Sequence, residues 1–130
     1  MSVKSLEELK AFLEARITED EAVAKTVFGA DLTYATWAYE GDEVFAPMEG
    51  ERHSRTCLPA VDEGIGAHIA RHDPARALAE VAAKRSLVEL YGALSAQWAP
   101  NVDYGFASTT LRTLAAIYSS HPDYQQEWAL

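Results

Sequence analysis

The chain has 130 residues, of which 48% are apolar and 24% are charged, so it is long enough for one domain with a hydrophobic core. Eleven lysines and arginines stand against twenty aspartates and glutamates; the resulting net charge of −9 disfavours binding to nucleic acid. The single cysteine, Cys57, excludes an internal disulfide and is typical of a reducing compartment. No apolar run reaches membrane-spanning length and the N-terminus has no signal region, so we expect a cytoplasmic protein.

The first predicted element is an amphipathic helix over residues 5–28. Ser5 and Glu8 have the spacing of a capping box, which predicts that Ser5 is the N-cap residue. Gly29 is a typical residue for the end of such a helix. The apolar positions recur at helical spacing and are expected to face the core: Leu6, Leu9, Leu13, Ile17, Ala24 and Val27.

The next part of the chain is predicted to form a small antiparallel β-meander. Residues 33–39 are rich in β-branched and aromatic side chains, and Gly41 indicates a turn after them. Residues 43–47 form the predicted returning strand, which Pro47 limits to an edge or an end. A third strand is predicted within residues 52–58. A sheet this small needs a helix packed against it to be stable.

Asp73 and Pro74 predict a joint between two helices, because Asp suits the N-cap and Pro suits the first helical position. A short helix capped by Asp62 is expected to carry residues 65–72 up to this joint. A long helix then runs from Pro74 to about Gln97. This helix has two apolar faces, which predicts a central helix packed on both sides: Leu78, Val81, Ala82 and Val88 on one, and Leu87, Leu90, Tyr91 and Leu94 on the other.

The remaining residues predict a loop over 99–105, a last helix capped by Ser108 and a turn at His121 that ends it. Trp128 is expected to dock back on the core. The whole chain, residues 1–130, is therefore predicted to be one domain of the α+β class, mainly helical. Its predicted order is a long N-terminal helix, a small meander, a short helix, a long central helix and a C-terminal helix.

Arg85 falls within an apolar face of the predicted central helix. An unpaired guanidinium in such a position is costly, so a carboxylate is expected next to it. Asp123 or Glu127 in the tail could supply that carboxylate and hold the C-terminus on the central helix.

Two histidines four residues apart, His68 and His72, lie on one face of the predicted short helix, as in helical zinc sites. His53 and Cys57 are also four residues apart and would share a face of a strand, so they are candidates for further ligands. One hypothesis is therefore a zinc-binding protein or a hydrolase. The alternative is a helix without a cofactor whose histidines lie at the edge of a packed face, because Ile65 and Ile69 share that face.

Residues 68–76 (His-Ile-Ala-Arg-His-Asp-Pro-Ala-Arg), continuing through residues 80–85, resemble a family of small uncharacterised proteins of actinobacteria and their phages. The tail His-Pro-Asp-Tyr-Gln-Gln-Glu-Trp at residues 121–128 is similar to the ending of that family. The family is a domain of unknown function, so the resemblance implies no activity, cofactor or catalytic residue. It does imply a phage or mobile-element setting.

Three functions follow as hypotheses. The first is a non-enzymatic accessory protein that acts by contact with a protein partner, through the acidic face of the first helix or the loop near Trp98. The second is metal binding at His68 and His72. The third is an acidic inhibitor that mimics DNA, which requires carboxylates on one surface at phosphate-like spacing. Neither nucleic acid nor a membrane is expected as a partner.

Overall fold

The computed structural model describes residues 2–27, 34–47, 55–97 and 104–130. These residues form four α-helices and one antiparallel sheet of three strands, which confirms the predicted α+β, mainly helical class. None of the helices in these ranges is long and apolar enough to cross a membrane. The elements in chain order are α1 (Val3–Thr26), β1 (Ala38–Glu40), β2 (Glu43–Ala46), β3 (Arg55–Leu58), α2 (Glu63–Arg71), α3 (Pro74–Gln97) and α4 (Tyr104–Ala115).

Contacts between residues group the chain into two compact units. The first, which we call the helical unit, comprises Met1–Glu19 and Val81–Leu130. The second, which we call the sheet unit, comprises Asp20–Glu80.

Helix α1 begins earlier than predicted because Ser2, and not Ser5, is its N-cap residue. The Ser2 Oγ accepts the backbone N–H of Ser5 at 3.1 Å. The Ser5 hydroxyl instead donates to the Glu127 carboxylate at 2.9 Å, a partner that the local sequence cannot reveal. The prediction that Ser5 caps this helix is therefore wrong. The helix ends at Thr26, and Gly29, its predicted end, lies outside the described residues.

The core of the helical unit is built from α1, α3, α4 and the C-terminal tail. Trp128 is 1% exposed, which confirms the prediction that the tail docks on the core. The Trp128 and Phe12 ring centroids are 5.1 Å apart, so aromatic contact adds to the burial of apolar area. The buried cluster consists of Leu6, Leu9, Phe12, Leu13, Ile17, Val81, Val88, Leu111, Ala115 and Trp128.

Helix α3 has the predicted bounds, Pro74–Gln97, but its second predicted apolar face is only partly covered in the described part of the chain, where Tyr91 packs against the core cluster. Val81 and Val88 are 2% and 0% exposed and belong to the core cluster. Leu87 and Leu90 are 37% and 54% exposed. The prediction of packing on both sides is wrong at these two positions, because periodicity identifies an apolar face without supplying a neighbour to cover it.

Helix α4 begins at Tyr104, so the end of the predicted loop is helical. Ser108 lies inside the helix and is 6% exposed, and the prediction that it is the N-cap residue is wrong. Its neighbour Ala107 and, one turn on, Leu111 are also buried, so this serine lies on the packed face of the helix. Packing outweighs the weak intrinsic preference of serine for a helix end. A 3₁₀ turn, Ala116–Tyr118, follows α4.

The strands of the sheet unit form the predicted antiparallel meander in the order β1-β2-β3. Gly41, in the turn between β1 and β2, has a φ of +69°, a left-handed conformation that glycine adopts without strain. Tyr39 pairs with Val44 across β1 and β2, and the pairing of β2 with β3 has a register shift between Val44 and Phe45. Helix α2 packs on β1 and β2 and so supplies the helix that a small sheet needs.

Candidate functional site

The joint between α2 and α3 is held by the carboxylate of Asp73, which is 8% exposed. Its Oδ1 accepts the backbone N–H of Arg76 at 2.8 Å, which confirms Asp73 as the N-cap residue of α3. Its Oδ2 accepts the backbone N–H of Trp37 at 2.9 Å. The same carboxylate therefore caps a helix and fixes the residue before β1. This second bond also explains why the first strand is shorter than predicted and begins at Ala38.

The two histidines of the predicted metal site lie together at the C-terminal end of α2, although the helix ends at Arg71 and His72, predicted to be helical, is its C-cap residue. Both His68 and His72 are exposed, and their ring centroids are 4.3 Å apart with the ring planes at 33°. The Nδ1 of His72 is 2.8 Å from the backbone carbonyl oxygen of His68. Because a carbonyl oxygen only accepts, this Nδ1 carries the proton and donates it. In the neutral ring, Nε2 of His72 then holds the lone pair.

Among the described residues, the structure does not place either of the two further predicted ligands, Cys57 and His53, beside this pair. Cys57 is exposed on β3, and His53 lies outside the described ranges. Within those ranges no three side chains of His, Cys, Asp or Glu are grouped so that they could hold a metal ion. The structure therefore brings together His68 and His72, and the contribution of His53 stays a prediction.

Tyr39 anchors the helix that carries these histidines, a role that the sequence analysis missed. Its hydroxyl donates to the carbonyl oxygen of Val61 at 2.8 Å, and its ring lies where a Cβ on Gly66 would overlap it. Burial raises the pKa of Tyr39, and the negative charges of nearby carboxylates raise it further: Glu63, Asp42 and Asp62. The neutral, donating form of the phenol is thus favoured. The absence of a side chain at Gly66 was the one sequence signal for this close approach.

Asp62 precedes α2 as its N-cap residue, as predicted, although its side chain forms no capping hydrogen bond. Its backbone carbonyl accepts the N–H of Gly66 at 2.8 Å. The start of the helix is therefore stabilised by backbone bonds and by the contact between Gly66 and Tyr39. The orientation of α2, and with it the placement of the histidine pair, depends on these contacts.

In the helical unit, the mostly buried guanidinium of Arg16 holds the tail, a role that the sequence did not predict. Its side chain is 12% exposed, and its Nη1 lies 2.8 Å from Nδ1 of His121 and 3.8 Å from the Asp123 carboxylate. Its Nε is 3.0 Å from the carboxylate of Glu19. A guanidinium that holds the tail was predicted, but the arginine that contacts Asp123 is Arg16. Periodicity could not distinguish it, because Arg16 lies at the edge of the apolar face of α1.

Arg85, the arginine predicted for that role, lines a small groove of about 220 Å³ in the helical unit. The buried side chains of Ile17 and Val88 line the same groove, together with Glu14 and Glu89. Its volume is below the roughly 300 Å³ at which ligand pockets usually begin. The groove thus offers mixed charge over an apolar floor and little enclosed space.

Three large apolar side chains of the helical unit are exposed on α3 and α4: Leu87 (37%), Leu90 (54%) and Phe106 (74%). Tyr91 connects them, because it lies four residues after Leu87 on the same side of α3 and its ring centroid is 6.1 Å from that of Phe106. We call Leu87, Leu90, Tyr91 and Phe106 the apolar strip. Trp98, which was predicted to lie near the contact region, is outside the described residues.

Comparison with protein-family models identifies one family that matches the chain. A model described as a family of unknown function (DUF6221) matches residues 6–130, which includes both motifs that suggested a family and residues of both units. A comparison with curated proteins found no match, and a comparison with solved structures found none either. Because the family model covers nearly the whole chain, the protein belongs to this family of unknown function, DUF6221.

Proposed function

We propose that this protein acts by binding another protein, without a catalytic step of its own, and that the apolar strip is its docking surface. The exposure of Leu87, Leu90 and Phe106 carries the proposal. Exposed apolar side chains that adjoin one another mark interaction sites more often than single exposed residues do. Covering them with a partner is favourable by about 25 cal/mol for each Å² of apolar surface removed from water.

Two features of the strip support docking. Its aromatic members, Tyr91 and Phe106, are of the kind enriched at the centres of protein interfaces. Its members on α3 lie at a spacing of three and four residues, which is the arrangement that a helix presents to a groove or to a second helix. Since helices are more rigid than loops, binding here costs little conformational entropy.

The charge of the chain supports a basic partner. The helical unit, which carries the strip, has eight acidic and six basic residues by sequence, and Glu89 is exposed on α3 beside Leu90 in the sequence. Opposite charges around an apolar contact accelerate association and exclude acidic competitors. The expected partner surface therefore has apolar side chains at its centre and lysine or arginine around them.

The proposed setting is the cytoplasm of an actinobacterium, with the gene belonging either to the bacterium or to a phage that infects it. The motif resemblance at residues 68–76 and 121–128 supports the origin, and the presence of a single cysteine, Cys57, supports a reducing compartment. Genes that neighbour other members of the family test the phage setting. Neighbours of phage origin are expected, and neighbours drawn only from host metabolism would contradict it.

To test whether the apolar strip is the docking surface, the purified chain is first used as bait in a lysate of its source organism. The captured protein is then purified, and its affinity for the chain is measured. Wild type is compared with Leu90→Asp and Phe106→Asp. Ile117→Asp is the matched control, because Ile117 is 59% exposed and is not part of the strip. The strip variants are expected to weaken binding at least tenfold, whereas the control is expected to bind as wild type does.

The possible results of this experiment distinguish between the partners that could cover the apolar strip. A partner bound equally by wild type and both strip variants contradicts the proposed surface. If that partner is a DNA-binding protein released by salt, the acidic DNA-mimic hypothesis replaces this one. Self-association of the wild type that Leu90→Asp abolishes would identify a second copy of this chain as the partner.

A further inference from the structure

We propose that His68 and His72 form a binding site for a divalent late transition metal ion such as Zn²⁺ or Ni²⁺. The site lies in the sheet unit and is independent of the apolar strip. The two imidazoles are exposed, with ring centroids 4.3 Å apart, so rotation of the His68 ring can bring one of its nitrogens to an ion held by His72 without unpacking the core. His68 lies in the last turn of α2 and His72 is the C-cap residue after it, so the pair keeps the four-residue spacing of helical zinc sites at the end of a helix.

The hydrogen bond from Nδ1 of His72 to the carbonyl oxygen of His68, at 2.8 Å, is the main observation. Histidines that ligate metals usually donate their other ring N–H to a carbonyl or a carboxylate, which fixes the ring and raises its basicity. Here that outer bond is already formed. It orients the ring of His72 and leaves Nε2 as the ligating atom.

The backbone under the pair is well fixed. The backbone N–H of His72 contacts the carbonyl oxygens of His68 (3.2 Å) and Ile69 (3.1 Å), so the last turn of α2 closes under the two rings. Upstream, the contact of Tyr39 with Gly66 holds the same helix. Downstream, the bonds of Asp73 to Arg76 and Trp37 hold the start of α3. The two ligands are therefore carried on a backbone whose position is set before a metal binds.

The electrostatic setting favours a cation. The pair lies at the C-terminal end of α2, where the unpaired carbonyls give a partial negative charge. The sheet unit carries twelve acidic and five basic residues, a net charge of −7, which attracts cations to its surface. Arg71 is exposed in the same turn and opposes this effect, while the carboxylate of Asp73 is used by its two hydrogen bonds.

The imidazole nitrogens of the two histidines determine which metal ions can bind. Imidazole nitrogen suits Zn²⁺, Ni²⁺ and Cu²⁺, whereas Mg²⁺ and Ca²⁺ take oxygen ligands. Two histidines supply half of a tetrahedral zinc site, so water or a donor from another molecule occupies the remaining positions. The expected affinity is accordingly weaker than that of a structural site with four protein ligands.

Titration calorimetry with Zn²⁺ and with Ni²⁺ alone tests the site on the full chain at pH 7.5. Wild type is compared with His68→Ala and His72→Ala, and Arg71→Ala is the matched control because it is exposed on the same turn. Circular dichroism establishes that each variant is folded. One ion per chain is expected for wild type and for Arg71→Ala, and at least tenfold weaker binding for either histidine variant.

Nuclear magnetic resonance of the histidine rings supplies a second readout. Addition of Zn²⁺ is expected to shift Nε2 of His72 and to leave its Nδ1 protonated. Lowering the pH is expected to release the ion, because protons compete for the same nitrogens. Unchanged affinity in both histidine variants, or a loss in Cys57→Ser equal to theirs, would overturn the two-histidine assignment. Ligation through Nδ1 of His72 would overturn the role of the outer hydrogen bond.

Discussion

In the helical unit, ten buried side chains from three helices and the tail form one apolar cluster that includes Trp128, Leu9 and Leu111. In the sheet unit, the buried apolar side chains of the described residues are small: Ala24, Ala35, Val44, Ala46 and Ala70. The sheet unit has instead two polar anchors, the carboxylate of Asp73 and the hydroxyl of Tyr39. Large apolar area thus stabilises one unit, whereas close approach and directed hydrogen bonds hold the other.

The two units also differ in charge. By sequence, the helical unit carries eight acidic and six basic residues, and the sheet unit carries twelve and five. Most of the net charge of −9 therefore belongs to the sheet unit. Repulsion among like charges and a small apolar core both reduce stability, so the polar anchors of the sheet unit matter more than equivalent bonds would in a large core.

The largest effect is expected from Trp128→Ala, which removes the largest buried side chain of the helical unit. The substitution loses the apolar surface that the indole ring buries and leaves a cavity, and together these are expected to lower the free energy of unfolding by about 3–5 kcal/mol. Urea denaturation followed by circular dichroism measures it. Phe106→Ala is the matched control, because Phe106 is 74% exposed and its truncation should change stability by less than about 0.5 kcal/mol. Equal losses in the two variants would contradict a core built around Trp128.

A smaller effect is expected from Asp73→Ala in the sheet unit. The substitution removes the N-cap of α3 and leaves the Trp37 N–H without its acceptor, so a loss of about 2–3 kcal/mol is expected. Urea denaturation measures the total loss of stability, and hydrogen exchange at the Trp37 amide measures the loss of its hydrogen bond to Asp73. Glu80→Ala is the control, since the exposed ion pair of Glu80 with Arg76 is worth at most about 1 kcal/mol. Unchanged exchange at Trp37 would show that Asp73 acts on the helix alone.

The smallest effect is expected from Tyr39→Phe, which keeps the ring against Gly66 and removes the hydroxyl bond to Val61. A small loss of stability is expected near neutral pH, because the Val61 carbonyl then lacks this donor. Because folding raises the pKa of Tyr39 above its ordinary value of 10.0, its contribution is fully present below pH 10 and declines as the pH rises further.

The alkaline decline gives a direct measurement. Urea denaturation at pH 8 and at pH 11 is expected to show a steeper loss of stability for wild type than for Tyr39→Phe. The other tyrosines are present in both proteins and cancel in the comparison. Parallel losses would mean that ionisation of Tyr39 is not suppressed by the fold, and that the contact with α2 is weaker than the geometry indicates.

Local signals in the sequence predicted much of this fold. Asp73 and Pro74 mark the start of α3 because capping and the fixed φ of proline act within one turn. The meander followed from β-branched residues and the turn at Gly41, and the docking of Trp128 followed from its size and apolar character. The histidine pair was identifiable because a spacing of four residues places two side chains on one helix face.

Long-range contacts decided the rest. Ser2 and Ser5 have the same side chain, and only the position of Glu127 explains why Ser5 is engaged elsewhere. Arg16 and Arg85 both occur near apolar helix faces, and the tertiary fold determines that Arg16 meets Asp123.

Sequence by itself therefore determined the order and type of the elements, the joint at Asp73 and the family to which the chain belongs. Tertiary structure alone decided which apolar face of α3 is covered, where the second oxygen of Asp73 binds and what holds α2 in place. The physical reason is the range of the interactions. Caps, turns and periodicity act over a few residues, whereas burial and paired polar groups depend on segments that are distant in the chain.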